Sequence, residues 1–296
     1  MFKRIALFVV TNLAVIALLT IVCRLLGIDQ WASQRGMGLG GLIAFASVFG
    51  MGGAFVSLAI SKWMAKMSTG AKVITEPRNE SERWLLETVR RHAEKAGIGM
   101  PEVAVYDAPE MNAFATGMSR NNALVAVSTG LLQQMDREQV SAVLGHEIGH
   151  VANGDMVTLT LIQGVLNTLV IVLARVVGRL IDSWMSGGRE REGEGGIGYF
   201  VTVMVLQIVF GLFASMIVMW FSRWREFRAD AAGANLAGRA SMISALQRLS
   251  ANHGETSLPQ TIQAFGIAGH LATGMKRLFM SHPPIEERIA ALQAGR

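Results

Sequence analysis

The sequence predicts a mainly helical protein in which an α+β domain is combined with four transmembrane helices. Of its 296 residues, 51% are hydrophobic and only 17% are charged, and the mean hydropathy is +0.37. A typical soluble domain is less apolar and carries more charge. Four uncharged apolar runs, at 5–23, 36–61, 156–174 and 195–222, approach or exceed the length needed to cross a bilayer.

The first apolar run follows Lys3 and Arg4 and ends at Arg24. It is longer than the apolar region of a secretory signal peptide, and no small-residue cleavage site is obvious after it. We therefore predict a retained membrane anchor. The chain has one cysteine, Cys23, which lies inside this run. A single cysteine excludes a disulfide framework or a cysteine zinc site within one chain.

The third and fourth runs contain polar residues, namely Gln163, Asn167 and Gln207. The connector around 187–196 is rich in glycine and carries charges of both signs, which is typical of a flexible loop. The two runs could pack as a partly embedded hairpin, but their length favours full spans. The predicted segments are an anchor at 1–61, a domain at 62–155, a membrane hairpin at 156–222 and a C-terminal part at 223–296.

The distribution of basic residues predicts the orientation of the chain in the membrane. Residues 62–155 contain ten Lys or Arg, whereas the segment between the first two runs carries only Arg24 and Arg35 near its ends. By the positive-inside rule, the N-terminus and residues 62–155 lie in the cytoplasm. If the third and fourth runs form a hairpin, the C-terminal part lies on the same side.

The segment between the second and third runs predicts strands followed by a helix, which is typical of an α+β domain. Asn79 and Glu82 form a capping box that begins a helix, and the glycines of 97–99 end it. Short alternating segments then predict three strands, at 103–106, 112–116 and 123–128. Residues 240–293 are predicted to be mainly helical, with a break near 266–274.

The most informative motif is the run from His146 to His150, which reads His-Glu-Ile-Gly-His. Asp136 and Gln139 can cap a helix before it, and Asn153-Gly154 provides a stop signal after it. Two histidines four residues apart then lie on one face, where both rings can bind one Zn²⁺. Glu147 is placed to act as general base, as in the HExxH signature of zinc proteases. The alternative is a helix with two solvated histidines.

Catalytic zinc sites have three protein ligands, so a third is needed. Glu226 and Asp230 are four residues apart on one predicted helical face, with Glu226 as the natural ligand. Asp230 can accept a hydrogen bond from the other ring nitrogen of a ligand histidine. On spacing alone, an ordinary charged face is as good an interpretation, with both acids paired to neighbouring arginines, namely Arg223, Arg225 and Arg228.

The chain resembles the HtpX family of membrane-bound heat-shock proteases, which are relatives of the type I CaaX prenyl proteases. The resemblance covers nearly the whole chain and rests on the residues of 112–117, 143–150, 225–230 and 281–288. It implies a zincin-like protease domain, with His146, His150 and Glu226 as zinc ligands and Glu147 as base. It also implies a bacterial inner-membrane location and a quality-control role in stress, with misfolded or damaged membrane proteins as substrates.

The same resemblance suggests further site residues. Asn112, Ala113 and Phe114 are expected on a sheet edge that binds substrate as an added strand, although an ordinary buried strand is equally compatible with the sequence. His282 and Arg288 are expected to aid oxyanion or substrate binding. His282 could instead cap the last helix, and Arg288 could pair with a neighbouring glutamate. The remaining histidines, His92, His253 and His270, have no motif around them and are interpreted as structural or solvated.

Other functional classes find less support. The isoelectric point of 9.8 reflects basic residues that flank apolar runs, so we predict no nucleic-acid partner. The sequence contains no phosphate-binding loop, so we predict no use of ATP. A prenyl protein protease and a membrane scaffold with structural zinc stay as alternatives. The same ligands also hold Co²⁺ or Mn²⁺. A homo-oligomer is compatible with the sequence.

Overall fold

The computed structural model describes residues 39–185, 197–252 and 282–295. The predicted anchor at 5–23, the connector at 187–196 and the predicted break at 266–274 lie largely or wholly outside these residues, as do His253 and His270. The chain divides into two compact units. One comprises Met1–Ser57 and Thr158–Val218, and the other comprises Leu58–Val157 and Met219–Arg296.

Among the described residues, three helical segments are long and apolar enough to cross a membrane: Gly40–Thr69, Asp155–Met185 and Gly198–Ala237. The first consists of helix α1 (Leu39–Ser47), a π-helical turn (Val48–Gly52) and helix α2 (Gly53–Thr69). The second is α6 (Asp155–Met185), and the third lies within α7 (Ile197–Ala237). They coincide with the second, third and fourth apolar runs, so a mainly helical, membrane-capable chain is confirmed.

In the first unit, the π-helical turn contacts α6 closely. A Cβ atom on Gly50 would lie 2.4 Å from the Thr168 hydroxyl oxygen, so only glycine fits at this position. The Thr168 hydroxyl contacts two backbone carbonyls, at 2.9 Å from Gly164 O and 3.3 Å from Ala46 O. A buried hydroxyl inside an apolar helix is therefore hydrogen-bonded, as burial requires.

The second unit contains a four-stranded sheet formed by β1 (Lys72–Val73), β2 (Glu102–Tyr106), β3 (Ala113–Ser119) and β4 (Asn122–Ser128). The strand order is β1-β2-β4-β3, with β2 and β4 parallel and the other pairs antiparallel. The last three strands match the three predicted segments. The prediction missed β1, because two residues are too short to show an alternating pattern.

Five of the described helices lie wholly within the second unit: α3 (Glu80–Ala96), α4 (Thr129–Gln134), α5 (Arg137–Asn153), α8 (Arg239–Asn252) and α9 (Ile285–Gln293). Both predicted helix starts are present, but the capping box at Asn79 is incomplete, because Glu82 Oε2 accepts from the Arg78 N–H at 2.7 Å instead of from the Asn79 N–H. The Asn79 side chain accepts from Glu82 N–H, and Asp136 and Gln139 form the full capping box of α5. Gly154 ends α5 in the left-handed conformation, with φ of 65°. Helix α5 packs its apolar face against the sheet in the main core.

Helices α5 and α7 approach each other through residues without large side chains. A Cβ atom on Gly149 would lie 2.7 Å from the Ala232 Cβ, and one on Gly145 would lie 3.2 Å from the Gly233 Cα. A Cβ atom on Gly233 would in turn lie 3.1 Å from the His146 amide nitrogen. The two backbones are therefore closer than any larger residue at these positions would allow.

His92 is a buried histidine of α3, with 1% of its surface exposed. Its Nε2 lies 3.1 Å from Ser141 O and 3.0 Å from the Ser141 hydroxyl, which ties α3 to α5. Burial disfavours the charged ring and lowers the pKa of His92 to about 4. This histidine is structural, as its sequence context indicated.

We predict that Gly149→Ala lowers the thermal midpoint of the detergent-solubilised protein. The added methyl would overlap Ala232 and force α5 and α7 apart, and overpacking of this kind costs about 1–3 kcal/mol. The double variant Gly149→Ala with Ala232→Gly exchanges the two residues, so its thermal midpoint should recover most of the decrease. A single variant as stable as the wild type would contradict the close packing.

We predict that His92 makes the second unit less stable in acid. Its pKa is about 4 when folded and near 6.5 in the unfolded chain, so the unfolded state binds the proton first. The contribution of neutral His92 to the free energy of unfolding is complete above pH 6.5 and is lost as the pH falls towards 4. Thermal midpoints of wild type and His92→Leu, measured from pH 7 to pH 4, should show a steeper acid decline in the wild type. Parallel curves would contradict this role.

Candidate metal centre

The two histidines of the HExxH motif face one point from consecutive turns of α5. Their Nε2 atoms are 3.1 Å apart, and the rings meet edge to face at 87°. Both residues are buried. The cause is local, because helical periodicity places residues four apart on the same face. The alternative of two solvated histidines is therefore excluded by the structure.

Helix α7 brings Glu226 to the same point. One carboxylate oxygen, Oε1, lies 3.3 Å from His150 Nε2, and Oε2 lies 3.5 Å from His146 Nε2. Glu226 is fully buried. One ligand atom from each of these three residues lies within 4.8 Å of the other two, so the cluster could hold a metal ion.

The far nitrogens of both rings meet carboxylates. His146 Nδ1 lies 2.9 Å from Asp230 Oδ1, and His150 Nδ1 lies 2.7 Å from Asp155 Oδ2. The first contact is short without being an aligned hydrogen bond, whereas the second is one. Asp155 was not among the residues singled out by the sequence. Its position in the sequence could have indicated this contact, because Asp155 follows the glycine cap of α5 and is only five residues from His150.

Helix α9 and the residues before it add two more groups. Arg288 donates to both oxygens of Asp230, from Nε at 2.7 Å and from Nη2 at 2.6 Å. Its Nη2 also lies 3.6 Å from Glu226 Oε2. His282 Nδ1 lies 2.7 Å from the same Glu226 oxygen, and 59% of the His282 side chain is exposed. Arg288 and His282 therefore both contact acids of α7.

The protonation of the ligand rings follows from these carboxylates. Burial opposes the charged form of His146, but Asp230 and Glu226 outweigh it and raise its pKa to about 9. Burial also opposes the charged form of His150, and Asp155 and Glu226 raise its pKa. A dication at the cluster would replace the proton on the Nε2 atom of each ring, because a ligand nitrogen must be deprotonated to bind a metal.

The donor set fits a zinc-type ion. Two imidazole nitrogens and one carboxylate are the ligands found in one class of catalytic zinc sites. The buried Oε1 atom of Glu226 has no hydrogen-bond partner among the described residues, and it lies 3.3 Å from His150 Nε2 within the cluster. Orphaned buried oxygens are rare in folded proteins, and a bound cation would satisfy this one.

The remaining predicted site residues lie near α5. Glu147, half-buried, adjoins His146 on that helix. Strand β3 contacts α5 and pairs with β4 alone among the described strands, so it is an edge strand. Its first residues, Ala113 and Phe114, are half-buried. Asn112 is exposed, and its backbone N–H donates to the Ser128 hydroxyl at 3.0 Å.

Comparison with known proteins identifies the family. The sequence pattern of Peptidase family M48 matches residues 79–296, which include all the residues of the cluster. The chain belongs to peptidase family M48. The family resemblance expected from the sequence is thereby confirmed.

Relatives within M48 share this chain's full length. Protease HtpX of Xanthomonas euvesicatoria pv. vesicatoria (strain 85-10) is 65% identical over 295 residues, which cover 100% of this chain and 98% of the relative. Protease HtpX of Stenotrophomonas maltophilia (strain R551-3) is 66% identical, covering 100% and 99%. Together with the apolar helices, these matches indicate a membrane-bound protease.

A solved structure shares the fold. The crystal structure of S. mikatae Ste24p aligns with a TM-score of 0.62 over 97% of this chain and 67% of that one, at 17% sequence identity. At this identity the likeness shows the fold only. It confirms the predicted fold class, a mainly helical chain with a small sheet and a Ste24-like fold.

Proposed function

We propose that this M48 protease is a zinc-dependent endopeptidase that cleaves misfolded or damaged membrane proteins. The observation that carries the proposal is the buried convergence of His146, His150 and Glu226, with Glu147 one residue from the first ligand. The three ligands would leave a coordination position open for water and substrate, which is how catalytic zinc sites differ from structural ones. Zinc is the default ion for this donor set.

In the proposed mechanism, Glu147 moves the protons. A bound Zn²⁺ would polarise the scissile carbonyl and lower the pKa of the attacking water. The Glu147 carboxylate takes a proton from that water and passes it to the leaving amine. Its half-buried position, beside a fully buried cluster, leaves it accessible to water and substrate.

Strand β3 is the proposed substrate-binding edge. An extended peptide can pair with an open sheet edge through backbone hydrogen bonds, and the edge next to α5 would hold it beside Glu147. Asn112, Ala113 and Phe114 begin this edge. Backbone pairing of this kind selects extended, unfolded chain rather than a particular side chain, which suits misfolded substrates.

His282 and Arg288 are assigned different parts. Because most of the His282 side chain is exposed beside Glu226, we propose that His282 contributes to oxyanion binding. Arg288 is buried and donates to both oxygens of Asp230. We therefore propose that it acts through Asp230 and Glu226 by holding them in place, and that it does not contact substrate itself.

The proposed location is a bacterial inner membrane, with the segments 62–155 and 223–296 forming one cytoplasmic protease domain. The basic residues of 62–155 support this orientation. Exposed tryptophans occur where the apolar runs end, at Trp63, Trp220 and Trp224. Tryptophan is enriched at membrane–water interfaces, so these positions suit the headgroup layer on the protease side. No ATP or nucleic acid enters the proposal, and a homo-oligomer stays a prediction.

We predict that Glu147→Ala abolishes cleavage while the protein still binds zinc. A positioned base contributes about 10²–10⁴-fold to the rate of such reactions. Cleavage of casein by detergent-purified protein, stripped of metal and reloaded with Zn²⁺, measures the effect. Glu138→Ala is the matched control, because Glu138 is exposed on the same helix.

Cleavage by Glu147→Ala at the wild-type rate would contradict the assigned base. If the wild type binds one zinc yet cleaves neither casein nor a membrane protein, a prenyl protein protease or a scaffold with structural zinc gains support. A prenylated peptide, compared with the same peptide lacking the lipid, then separates these two alternatives.

We predict that Glu226→Ala loses bound zinc. The variant removes one of three ligands and leaves two imidazoles, which hold the ion far more weakly. Metal analysis of protein dialysed against a weak chelator gives the stoichiometry, expected near one per wild-type chain. Glu286→Ala, at an exposed position of α9, is the control. Full zinc occupancy in Glu226→Ala would assign the third ligand elsewhere.

A further inference from the structure

The corner between α5 and α6 holds the second histidine through both its backbone and its ring. The Gly154 N–H donates to His150 O, which is possible because Gly154 adopts the left-handed conformation. The next residue, Asp155, begins α6, and its Oδ2 accepts a hydrogen bond from His150 Nδ1 at 2.7 Å. One short turn therefore fixes two independent parts of His150.

Asp155 and His150 form a buried hydrogen-bonded pair, not a solvent-exposed one. Asp155 is 3% exposed and His150 is 8% exposed. A carboxylate removed from water is strongly destabilising unless a donor or a charge compensates for it. The ring N–H of His150 provides that compensation, so the carboxylate and the ring depend on each other.

The geometry points to Asp155 as the positioning residue for His150, a role in metal binding that rests on the proposed zinc site. Accepting the Nδ1 proton fixes the tautomer in which the Nε2 lone pair is free. Because that Nε2 is 3.1 Å from His146 Nε2 and 3.3 Å from Glu226 Oε1, the lone pair is held towards the metal cluster. The negative carboxylate also makes the ring a stronger ligand.

The two ligand histidines are supported unequally. The carboxylate beside His146 belongs to Asp230, whose charge is already balanced by two hydrogen bonds from Arg288. The contact from Asp155 to His150 is both shorter and better aligned, at 2.7 Å against 2.9 Å. Asp155 is therefore expected to hold its ring more firmly than Asp230 does.

Asp155 also connects the metal site to a membrane-capable helix, because it is the first residue of α6. An acidic residue in the first turn of a helix stabilises that helix. A variant of Asp155 could thus affect stability through the helix alone. A test of the positioning role must separate metal affinity from the stability of the metal-free protein.

The experiment uses the full-length chain in detergent with Glu147→Gln as the parent, so that self-cleavage does not interfere. Zinc affinity is measured by competition with a chromophoric chelator. Loss of a hydrogen-bond partner of a ligand histidine typically weakens metal binding about 10–100-fold, and we expect this for Asp155→Ala. Asp155→Asn should lose less, because its amide oxygen still accepts the Nδ1 proton. Asp182→Asn, an exposed acid on the same helix, should stay within about twofold of the parent.

Two further measurements make the result decisive. The visible spectrum of the Co²⁺-loaded protein reports the geometry around the ion and should change in Asp155→Asn but not in Asp182→Asn. Thermal midpoints of the metal-free proteins report the helix effect. A lowered midpoint with unchanged zinc affinity and unchanged Co²⁺ spectrum would overturn the positioning role.

The outcomes also separate this inference from the proposed function. A parent that binds no zinc would overturn both. A parent that binds zinc and loses it with Glu226→Ala supports the proposed function, and Asp155 variants within twofold of that parent would then overturn the Asp155 inference alone. Should Asp155→Ala fail to fold, Asp155→Asn, which keeps the shape of the side chain, decides the question.

Discussion

The buried carboxylate of Glu226 is the group on which the arrangement of the site depends. A fully buried carboxylate is stable only where donors or charges surround it. Here two ligand histidines lie within 3.5 Å of it, His282 lies at 2.7 Å and Arg288 at 3.6 Å. These groups come from three parts of the chain, so the charge of one side chain requires α5, α7 and the segment that begins α9 to meet.

That meeting is possible because α5 and α7 contact each other through glycine and alanine where their backbones come closest. Gly145 and Gly149 flank the first ligands, and Gly233 follows Glu226 by two turns. With larger residues at these positions, the backbones would separate and the carboxylate would no longer reach both rings. The glycine between Glu147 and His150 is thus part of the site, although it offers no functional group. The HExxH pattern itself leaves this position open.

Features set by local sequence could be predicted, and those set by distant contacts could not. Both N-caps depend on residues three apart: the capping box at Asp136 is complete as expected, and at Asn79 the bond to Glu82 N–H forms without its reciprocal partner. The three longer strands and the membrane-capable helices follow from hydrophobic pattern and length. By contrast, the spacing of Glu226 and Asp230 fitted metal binding and arginine pairing equally well. The partner of Asp230 is Arg288, 58 residues away, which no local pattern indicates.

The proposed membrane hairpin lies between the second and third ligands along the chain. His150 and Glu226 are 76 residues apart, and each is close to an apolar run in a long helix. Helix α6 begins one residue after the cap of α5, and α7 continues without a break from its apolar run through Glu226. Under the proposed topology the chain crosses the bilayer and returns between His150 and Glu226, so the third ligand would be completed by membrane insertion as much as by folding of the domain.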